Sequence, residues 1–447
     1  MINNRTADLV LSGRHLLPSW RQEDLLADGA VAISGDTIVA VGERTRLCAD
    51  YPDARHMHEP HGLIMPGLIN THTHAAMSCL RGLADDLPLM SWLQNHIFPV
   101  EAHLDEELVY WASLLSMAEM IKSGTTACND MYLFSKAVAR AAEHSAMRCW
   151  LGEVLYDFDS PCYGELANGF VYVAELLAAY QDHPLITITI NPHGVYTCSP
   201  DLLNRCAELA EQHDTLLHIH LSETDSEVAT CRERYGVSPV HHLGALGVLC
   251  SRVVAAHCVK LSEADMELLA EHDVQVSHCI QSNLKLASGI APIPALIERG
   301  LSVSLGSDGS ASNNDVDLFA EMTSVAQTHK AILNDPTVMD ASTVLHAATQ
   351  AGADALGAGS SLGTLEPGKK ADLIVIDLDQ PHLTPLYNMA SQLVYAVRGA
   401  DVIHSVIGGR LVMRDRHLLT IDEPEVLARM RGSAARVQAL RDASRRH

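Results

Sequence analysis

Two histidines separated by one residue stand directly after an apolar run. His72 and His74 follow Gly62-Leu63-Ile64-Met65 and the turn-like Pro66-Gly67. In a strand, residues two apart point to the same side, so the two imidazoles would lie together where the strand ends. Such a pair is half of a metal site. A chain with 25 histidines also produces this spacing by chance, so further ligands are needed before a metal site is predicted.

Other candidate ligands and proton carriers stand at the ends of further apolar segments. They are His193 after residues 186–191, His220 near the end of 216–221 with Glu223 just beyond it, His257 at the end of 253–257, and Asp308 after 301–305. Each has an ordinary alternative explanation, as a hydrogen-bonded loop histidine or as an acidic residue in a turn. Their joint occurrence at strand ends, together with the first histidine pair, predicts a metal site with acid–base groups beside it.

The middle of the chain alternates apolar segments with helical ones. We predict eight strands, over residues 63–69, 125–130, 148–154, 186–191, 216–221, 253–257, 274–277 and 301–305. After the first of them, Leu108, Trp111 and Leu115 recur at helical spacing. Eight such units predict a (β/α)8 TIM barrel, whose active site lies at the C-terminal ends of its strands. An open doubly wound sheet is the alternative, but no Gly-x-Gly-x-x-Gly follows any strand.

The two ends of the chain favour short strands and tight turns. Residues 30–33 and 37–41 flank Ser34-Gly35-Asp36, where glycine supplies the positive φ of a hairpin turn. Residues 371–377 and 402–412 have the same character. We therefore predict an α/β protein with a small discontinuous β-sandwich domain. Residues 1–65 would form the first segment of the β-sandwich, residues 66–364 the (β/α)8 barrel with the predicted metal site, and residues 365–447 the second segment of the β-sandwich with a C-terminal helix.

Composition and charge narrow the classes of partner. Lys and Arg number 31 against 55 for Asp and Glu, which gives a formal net charge of −24. So acidic a surface repels nucleic-acid phosphates and anionic membranes, and we expect neither partner. The 11 cysteines show no paired spacing, the N-terminus lacks a signal-peptide pattern, and no apolar run is long enough to span a bilayer. We expect a soluble, reduced, cytoplasmic protein.

Several motifs together give the chain a family resemblance. They are Pro66-Gly67-Leu68 before His72-x-His74, Leu87-Pro88-Leu89-Met90-x-Trp92-Leu93, His220-x-x-Glu223, His257-Cys258, Ser282-Asn283-Leu284-Lys285-Leu286-Ala287-x-Gly289, Gly306-Ser307-Asp308 and Leu365-Glu366-Pro367-Gly368-Lys369-x-Ala371-Asp372. With these motifs the chain resembles the amidohydrolase superfamily in its deaminase and triazine-hydrolase branch. It is most similar to the 5′-methylthioadenosine/S-adenosylhomocysteine deaminases, and the resemblance covers nearly the whole chain.

The resemblance implies one divalent ion, held by His72, His74, His220 and Asp308. Zinc is the expected metal because imidazole nitrogens with one carboxylate suit Zn²⁺, with Fe²⁺ and Mn²⁺ as alternatives. Relatives with two metals carry a bridging carboxylated lysine at the end of the fourth strand. This chain has Asn191 and His193 there, so one ion per chain is expected.

The resemblance also implies catalytic roles for Asp308, His257 and Glu223. A bound metal ion lowers the pKa of its water to about 7, which makes hydroxide at neutral pH. Asp308 would take the proton from that water, and His257 would orient it. Glu223 would protonate the ring nitrogen beside the attacked carbon, so that ammonia leaves readily.

Substrate contacts are implied for Glu101, His193, Glu223 and Trp92. Glu101 would bind the ribose hydroxyls, and His193 would contact the nucleoside. The alternative roles are a solvated helix-start carboxylate for Glu101 and a core position for Trp92. The arginines with which relatives hold the homocysteine carboxylate match neither Arg81 nor Arg148, which favours 5′-methylthioadenosine over S-adenosylhomocysteine.

The expected activity is zinc-dependent hydrolytic deamination of an adenine nucleoside, namely 5′-methylthioadenosine, S-adenosylhomocysteine or adenosine, to the inosine analogue and ammonia. Guanine or 8-oxoguanine deamination and triazine hydrolysis are alternatives on the same site. A non-catalytic scaffold of the same fold is the alternative from another class, and the complete set of site residues argues against it. The expected partners are a small-molecule nucleoside and further copies of the chain in a dimer or tetramer.

Overall fold

The chain folds into a closed β/α barrel with a mixed β-sheet beside it, in a computed structural model that describes residues 6–87 and 89–444. The N-terminal strands of the sheet are β1 (Leu9–Leu16), β2 (Leu26–Ala27), β3 (Gly29–Ser34), β4 (Thr37–Glu43) and β5 (Arg55–Pro66). The barrel strands are β6 (Leu68–Thr73), β7 (Thr125–Tyr132), β8 (Arg148–Leu155), β9 (Ile186–Ile188), β10 (Asn191–Pro192), β11 (Leu217–Leu221), β12 (Val253–His257), β13 (Gln275–His278) and β14 (Val303–Leu305). The C-terminal strands are β15 (Leu373–Asp377), β16 (Val402–Ile407), β17 (Arg410–Arg414) and β18 (His417–Leu418).

The helices lie between these strands and at the C-terminal end of the described chain. They are α1 (Arg44–Asp50), α2 (Leu89–Trp92), α3 (Phe98–Glu101), α4 (Glu106–Lys122), α5 (Ser135–Ser145), α6 (Leu166–Tyr180), α7 (Pro200–Gln212), α8 (Asp225–Tyr235), α9 (Pro239–Ala245), α10 (Glu263–Glu271), α11 (Ile280–Lys285), α12 (Ile293–Glu298), α13 (Leu318–Leu333), α14 (Ala341–Ala347), α15 (Gln350–Ala355), α16 (Met389–Tyr395) and α17 (Glu423–Ser444). A π-helical turn, Leu93–Ile97, joins α2 to α3. Within residues 6–87 and 89–444, no helix is both long and apolar enough to cross a membrane.

Local sequence explains where several helices begin. Helices α7 to α10 each follow a Ser or Thr whose side-chain oxygen accepts a backbone N–H from the first turn, at Ser199, Thr224, Ser238 and Ser262. These side chains satisfy donors that the first turn of a helix leaves unpaired. One of these helices, α8, is capped by Thr224, which directly follows the candidate site residue Glu223.

Parallel strand pairing runs around the barrel in two groups. The first leads from β6 through β7 to β8, which pairs with both β9 and β10. The second leads from β11 through β12 and β13 to β14. The bridge between Ile190 and Leu217 joins the groups on one side, and the Thr71 hydroxyl donates to the Leu305 carbonyl at 2.9 Å on the other. The predicted barrel is confirmed, with its fourth strand in two short pieces.

The first barrel strand begins later than predicted. Leu63 and Ile64 lie in β5, where they pair with β15 of the terminal sheet, and the barrel strand starts only at Leu68. Gly67 separates the two strands, and a Cβ atom there would lie 2.0 Å from the Thr126 hydroxyl oxygen. The predicted strand over 63–69 was wrong in its bounds. A continuous apolar run has no periodic pattern that indicates which of two sheets its residues join.

The two ends of the chain form one mixed sheet, as expected for a discontinuous β-rich unit. Its order is β18-β17-β16-β15-β5-β1-β3-β4, with β2 beside β1. The N- and C-terminal segments meet where β5 pairs antiparallel with β15. Arg148 of the barrel forms a buried, bidentate ion pair with Asp372 at 2.7 and 2.9 Å, which ties the barrel to this sheet. The predicted division at residues 65 and 364 stays a prediction, as do the segments that reach residues 1–5 and 445–447, outside the described chain.

Candidate metal centre and active site

Four predicted ligand side chains converge at the C-terminal end of the barrel. His72 and His74 come from β6, His220 from β11, and Asp308 follows β14. The Nε2 atom of His74 lies 3.2 Å from Asp308 Oδ1 and 3.2 Å from His220 Nε2. The Nε2 atom of His72 lies 3.6 Å from Asp308 Oδ1. All four side chains are buried, so their donor atoms face one small protected space.

The second nitrogen of each imidazole is already engaged, which turns the Nε2 atoms toward this space. The Nδ1 atom of His74 bonds the Met131 carbonyl, and that of His220 bonds the His193 carbonyl at 2.7 Å. For His72, Nδ1 lies 2.8 Å from His218 Nε2. Such outer contacts set the orientation of metal-binding histidines.

The unpartnered Nε2 atom of His72 shows whether these residues fit a metal ion. His72 Nε2 is buried and has no hydrogen-bond partner among the described residues. A buried polar atom without a partner is costly and rare, whereas a cation at the centre of the cluster would use its lone pair. The donor set of imidazole nitrogens and one carboxylate is that of a zinc-type site. The residues therefore fit a divalent ion.

The electrostatics of the cluster favour neutral His72 and His220 imidazoles beside an ionised Asp308, whereas His74 holds a proton. Burial lowers the pKa of His72 to about 4 and that of His220 well below its ordinary value. Burial acts to raise the pKa of Asp308, but the contacts with His72 and His74 outweigh burial and hold this pKa well below its ordinary range. Burial lowers the pKa of His74, but the Asp308 contact raises it to about 9. Metal binding requires deprotonated ligands, and a divalent cation beside Asp308 would displace that proton.

The predicted acid–base residues surround the same space. His257 Nε2 lies 3.9 Å from Glu223 Oε2 and 4.0 Å from Asp308 Oδ2. Its nitrogen also lies within 4.8 Å of those of His72 and His220, so it is placed either to contact a bound water or to ligate. Burial raises the pKa of the Glu223 carboxyl, so this group keeps its proton at a higher pH than an exposed glutamate.

Three residues of the segment 282–288 position these groups, and the sequence interpretation assigned them no role. The Ser282 hydroxyl donates to Asp308 Oδ2 at 2.6 Å. The side-chain oxygen of Asn283 lies 2.9 Å from His257 Nδ1, and the Ser288 hydroxyl lies 3.4 Å from Glu223 Oε1. The motif Ser282 to Gly289 was visible in the sequence, but its contacts required the fold.

Two strand ends have an uncommon backbone conformation. His257 has a φ of 72° and Asp308 a φ of 59°, both in the left-handed region. Residues other than glycine seldom adopt this region, and such strained positions cluster at active sites. Here the chain turns sharply as it leaves β12 and β14, and both side chains remain directed at the metal centre.

A larger cavity adjoins the metal centre. A small cavity of about 50 Å³ lies among Glu223, His257 and Asp308. It shares His74 and His193 with a cavity of about 340 Å³, whose lining residues are His74, Phe98, Glu101, Ala102, Met131, Tyr132, Leu133, Val154, Tyr156, Phe158, Asp159, Pro161 and His193. The lining is largely apolar and aromatic, with two carboxylates and, among the residues that the structure describes, no Lys or Arg. A mostly apolar molecule with few polar groups fits such a space.

The predicted substrate residues differ in where they lie. Glu101 lines the large cavity and accepts a hydrogen bond from the Tyr132 hydroxyl at 2.7 Å, and burial raises its pKa. His193 lines both cavities, and burial lowers its pKa to about 3. Trp92 lines only the small cavity and is 4% exposed. Its position suits a wall of the reaction space as well as a core residue.

Comparison with known proteins agrees with this geometry. The model of the amidohydrolase family matches residues 63–412. The chain belongs to the amidohydrolase family. A second match, to the imidazolonepropionase-like composite domain of bacteria, covers residues 29–54 in the terminal sheet.

Similar members of the family share nearly the full length of the chain. A 5-methylthioadenosine/S-adenosylhomocysteine deaminase of Syntrophobacter fumaroxidans is 54% identical over 95% of this chain and 97% of that protein. One from Syntrophus aciditrophicus is 47% identical over 92% of this chain and 94% of its own. The crystal structure of an adenosine deaminase from Xanthomonas campestris with bound zinc superposes with a TM-score of 0.94, at 39% identity, over 97% and 99% of the two chains. The predicted family and fold are confirmed.

Asn191 stands at the end of the fourth strand, where two-metal relatives carry a bridging carboxylated lysine, and here its side chain makes hydrogen bonds within the protein. Its amide nitrogen donates to the carbonyls of Asp130 and Gly152 at 3.2 and 3.0 Å, and its oxygen accepts from the Thr189 hydroxyl at 2.8 Å. All polar atoms of this side chain therefore have protein partners.

His218 is a further residue that the sequence interpretation missed. It lies two residues before His220 on the same strand, and its side chain therefore points to the same side.

Proposed function

We propose that this chain is a zinc-dependent deaminase that converts an adenine nucleoside, with 5′-methylthioadenosine as the preferred substrate, to the inosine analogue and ammonia. The observation that carries the proposal is the shared cavity. His220, Asp308 and Glu223 line the small cavity, Glu101 lines the large one, and His74 and His193 line both. An attacking water and a sugar-binding carboxylate would thus act on one bound molecule. The names of the similar proteins support the same substrate class.

The proposed metal is one zinc ion per chain, with His72, His74, His220 and Asp308 as ligands. When bound, the ion supplies a water whose pKa is lowered to about 7. Zinc in the similar adenosine deaminase structure supports the choice of metal. The engagement of Asn191 with three protein partners supports a single ion, because the position where two-metal relatives place their bridging group offers no free ligand atom.

Three side chains would move the protons of the reaction. Asp308 is ionised and close to His257, so it is placed to take a proton from the attacking water. His257 would orient that water through Nε2, because its Nδ1 is held by Asn283. Glu223 would donate its proton to the ring nitrogen beside the amino-bearing carbon. The water oxygen would bond to the amino-bearing carbon, and Asp308 would pass the proton that it took from the water to the amino group. The carbon–nitrogen bond would then break with loss of ammonia, and the proton left on the new hydroxyl would return to Glu223.

The large cavity would hold the ribose and its 5′ substituent. Glu101 would accept hydrogen bonds from the ribose hydroxyls, His193 would contact the nucleoside, and Trp92 would line the base end. The 5′ substituent would lie against Phe98 and Phe158 at the mouth. An apolar methylthio group suits these surfaces, whereas the carboxylate of a homocysteine group would find no cationic partner among the lining residues that the structure describes.

The test is ammonia release from a panel of 5′-methylthioadenosine, S-adenosylhomocysteine, adenosine, guanine, 8-oxoguanine and a triazine. The highest kcat/KM is expected for 5′-methylthioadenosine. A free base or a triazine that exceeds every nucleoside would contradict the adenosine-type assignment. A cytoplasmic location and a homodimer or homotetramer are also proposed, and fractionation and light scattering of the purified protein would test them.

A further inference from the structure

A second buried glutamate lies beneath Glu223. Glu227 is 4% exposed and belongs to the first turn of α8. Its two carboxylate oxygens accept two consecutive backbone N–H groups, from Ser222 at 2.9 Å and from Glu223 at 2.7 Å. Two adjacent donors that point at one place are best satisfied by a carboxylate, which has two acceptor oxygens and a negative charge.

The role of this carboxylate is not to start the helix. The hydroxyl of Thr224 already caps α8, since it accepts the N–H of Glu227 at 3.2 Å. In an ordinary capping box, the residue at the position of Glu227 would bond the N–H of Thr224 itself. Here the side chain reaches further back, to the two residues before the cap. Its hydrogen bonds therefore hold the segment that leads from β11 to Glu223.

That segment has a conformation which needs support. Ser222 has a φ of 53°, in the left-handed region that residues other than glycine seldom adopt. Its N–H is held by Glu227, and its carbonyl accepts the N–H groups of Val259 at 3.1 Å and Lys260 at 2.8 Å. Both polar groups of the strained residue are thus fixed, one of them by the turn that follows His257.

We propose that Glu227 is a positioning residue for Glu223. By binding the Ser222 and Glu223 N–H groups, its carboxylate holds the turn in the conformation that directs the Glu223 carboxyl toward His257. The inference rests on the proposed function, in which Glu223 carries the proton. It predicts that Glu227 affects the chemical step through Glu223 and has little effect on substrate binding.

The experiment is a double-mutant cycle on the zinc-loaded full chain with 5′-methylthioadenosine. Glu227→Gln keeps the side-chain volume but replaces one acceptor oxygen by a donor. We expect kcat to fall about 10- to 100-fold with KM within about threefold, because only the proton transfer is misaligned. In a Glu223→Gln background, the same change should lower the residual kcat less than about twofold, since the group that Glu227 positions no longer acts.

Glu153 provides a matched control. It is buried at the end of β8, and its carboxylate likewise accepts two consecutive N–H groups, from Phe134 at 3.1 Å and Ser135 at 2.7 Å. Glu153→Gln therefore reproduces the loss of a buried acceptor away from Glu223. We expect this variant to keep kcat within about threefold of the parent, with any cost appearing in thermal stability.

Two results would overturn the inference. One is a Glu227→Gln protein that keeps the parental kcat, and the other is an equal fold-loss in the parent and Glu223→Gln backgrounds. If Glu227→Gln does not fold, Glu227→Asp replaces it in the cycle, because it retains the charge but is too short to bond both N–H groups. A parent enzyme without nucleoside deaminase activity would instead contradict the proposed function.

Discussion

The Nδ1 atom of His257 lies 2.9 Å from the side-chain oxygen of Asn283. Because the amide oxygen only accepts, the imidazole must carry its proton on Nδ1, and Nε2 is left free to face Glu223 and Asp308. One hydrogen bond thus sets both the tautomer and the direction of the ring. Neighbouring Ser282 holds Asp308, so α11 supports two of the proposed catalytic groups.

Loss of this hydrogen bond should reduce catalysis without loss of the metal. Asn283→Ala would leave the buried Nδ1–H of His257 without an acceptor, and we expect kcat to fall about 10- to 100-fold, as for other residues that orient groups at a metal site. Asn283→Asp keeps an acceptor and should recover much of the activity. Steady-state kinetics with zinc analysis of each variant would test this. Parental kcat in Asn283→Ala would show that His257 is held by other contacts.

Metal content should depend on His220. His220→Ala removes one of four proposed ligands, so we expect purified protein to lose most of its zinc, while the parent carries close to one ion per chain. His193→Ala is the control, since the side chain of His193 is not a proposed ligand and only its carbonyl bonds His220. Elemental analysis after dialysis gives the stoichiometry. Two tightly bound ions per parent chain would contradict the single-ion proposal.

Removal of Glu101 should affect only substrates that have ribose hydroxyls. A buried partner left unpaired costs roughly 1–3 kcal/mol, so Glu101→Ala should lower kcat/KM for 5′-methylthioadenosine about 10- to 100-fold. Turnover of 2′,3′-dideoxyadenosine should barely change. Tyr132→Phe is a useful comparison because it removes the hydrogen bond to Glu101 and keeps the carboxylate. Equal losses on both nucleosides would indicate that Glu101 supports the fold instead.

The acidic mouth of the large cavity should discriminate between 5′ substituents. Asp159 lines this cavity near Phe158, whose ring stacks on Tyr156 at a centroid distance of 3.9 Å. We expect higher kcat/KM for 5′-methylthioadenosine than for S-adenosylhomocysteine, and Asp159→Lys should narrow the ratio by about tenfold because it supplies a partner for the carboxylate. Adenosine, which has neither substituent, serves as the control. A parent that prefers S-adenosylhomocysteine would contradict this view of the cavity.

Glu153 should make stability depend on pH. Burial raises its pKa from 4.5 to about 7, so the folded state binds the proton more tightly than the unfolded state does. Its stabilising contribution to the free energy of unfolding is therefore fully present below pH 4.5 and is lost as the pH rises toward 7. The shift in pKa corresponds to a change in that free energy of roughly 3 kcal/mol. Glu153→Gln should flatten the pH dependence of the unfolding free energy in this window. Denaturant titrations at several pH values would measure it, and an unchanged slope would contradict the assignment.

The sequence alone determined the kind of fold and the strand ends that carry the site. Side chains alternate along a strand whatever the rest of the chain does, so His72 and His74 could be placed together from their spacing. The alternation of apolar and helical segments likewise indicated a barrel, whose geometry brings His220, His257 and Asp308 to one end. These properties are local or follow directly from the number of units.

Tertiary structure decided which sheet each buried run joins and which partners hold the site residues. The run at Leu63 could have entered the barrel, and only its pairing with β15 assigns it to the terminal sheet. The sequence interpretation assigned no role to Glu227, or to Asn283 although it lies in a recognised motif, yet they hold the backbone of Glu223 and the ring of His257. Their roles depend on how the strands and the turns after them come together in the closed barrel, because contacts between distant segments leave no periodic signal along the chain.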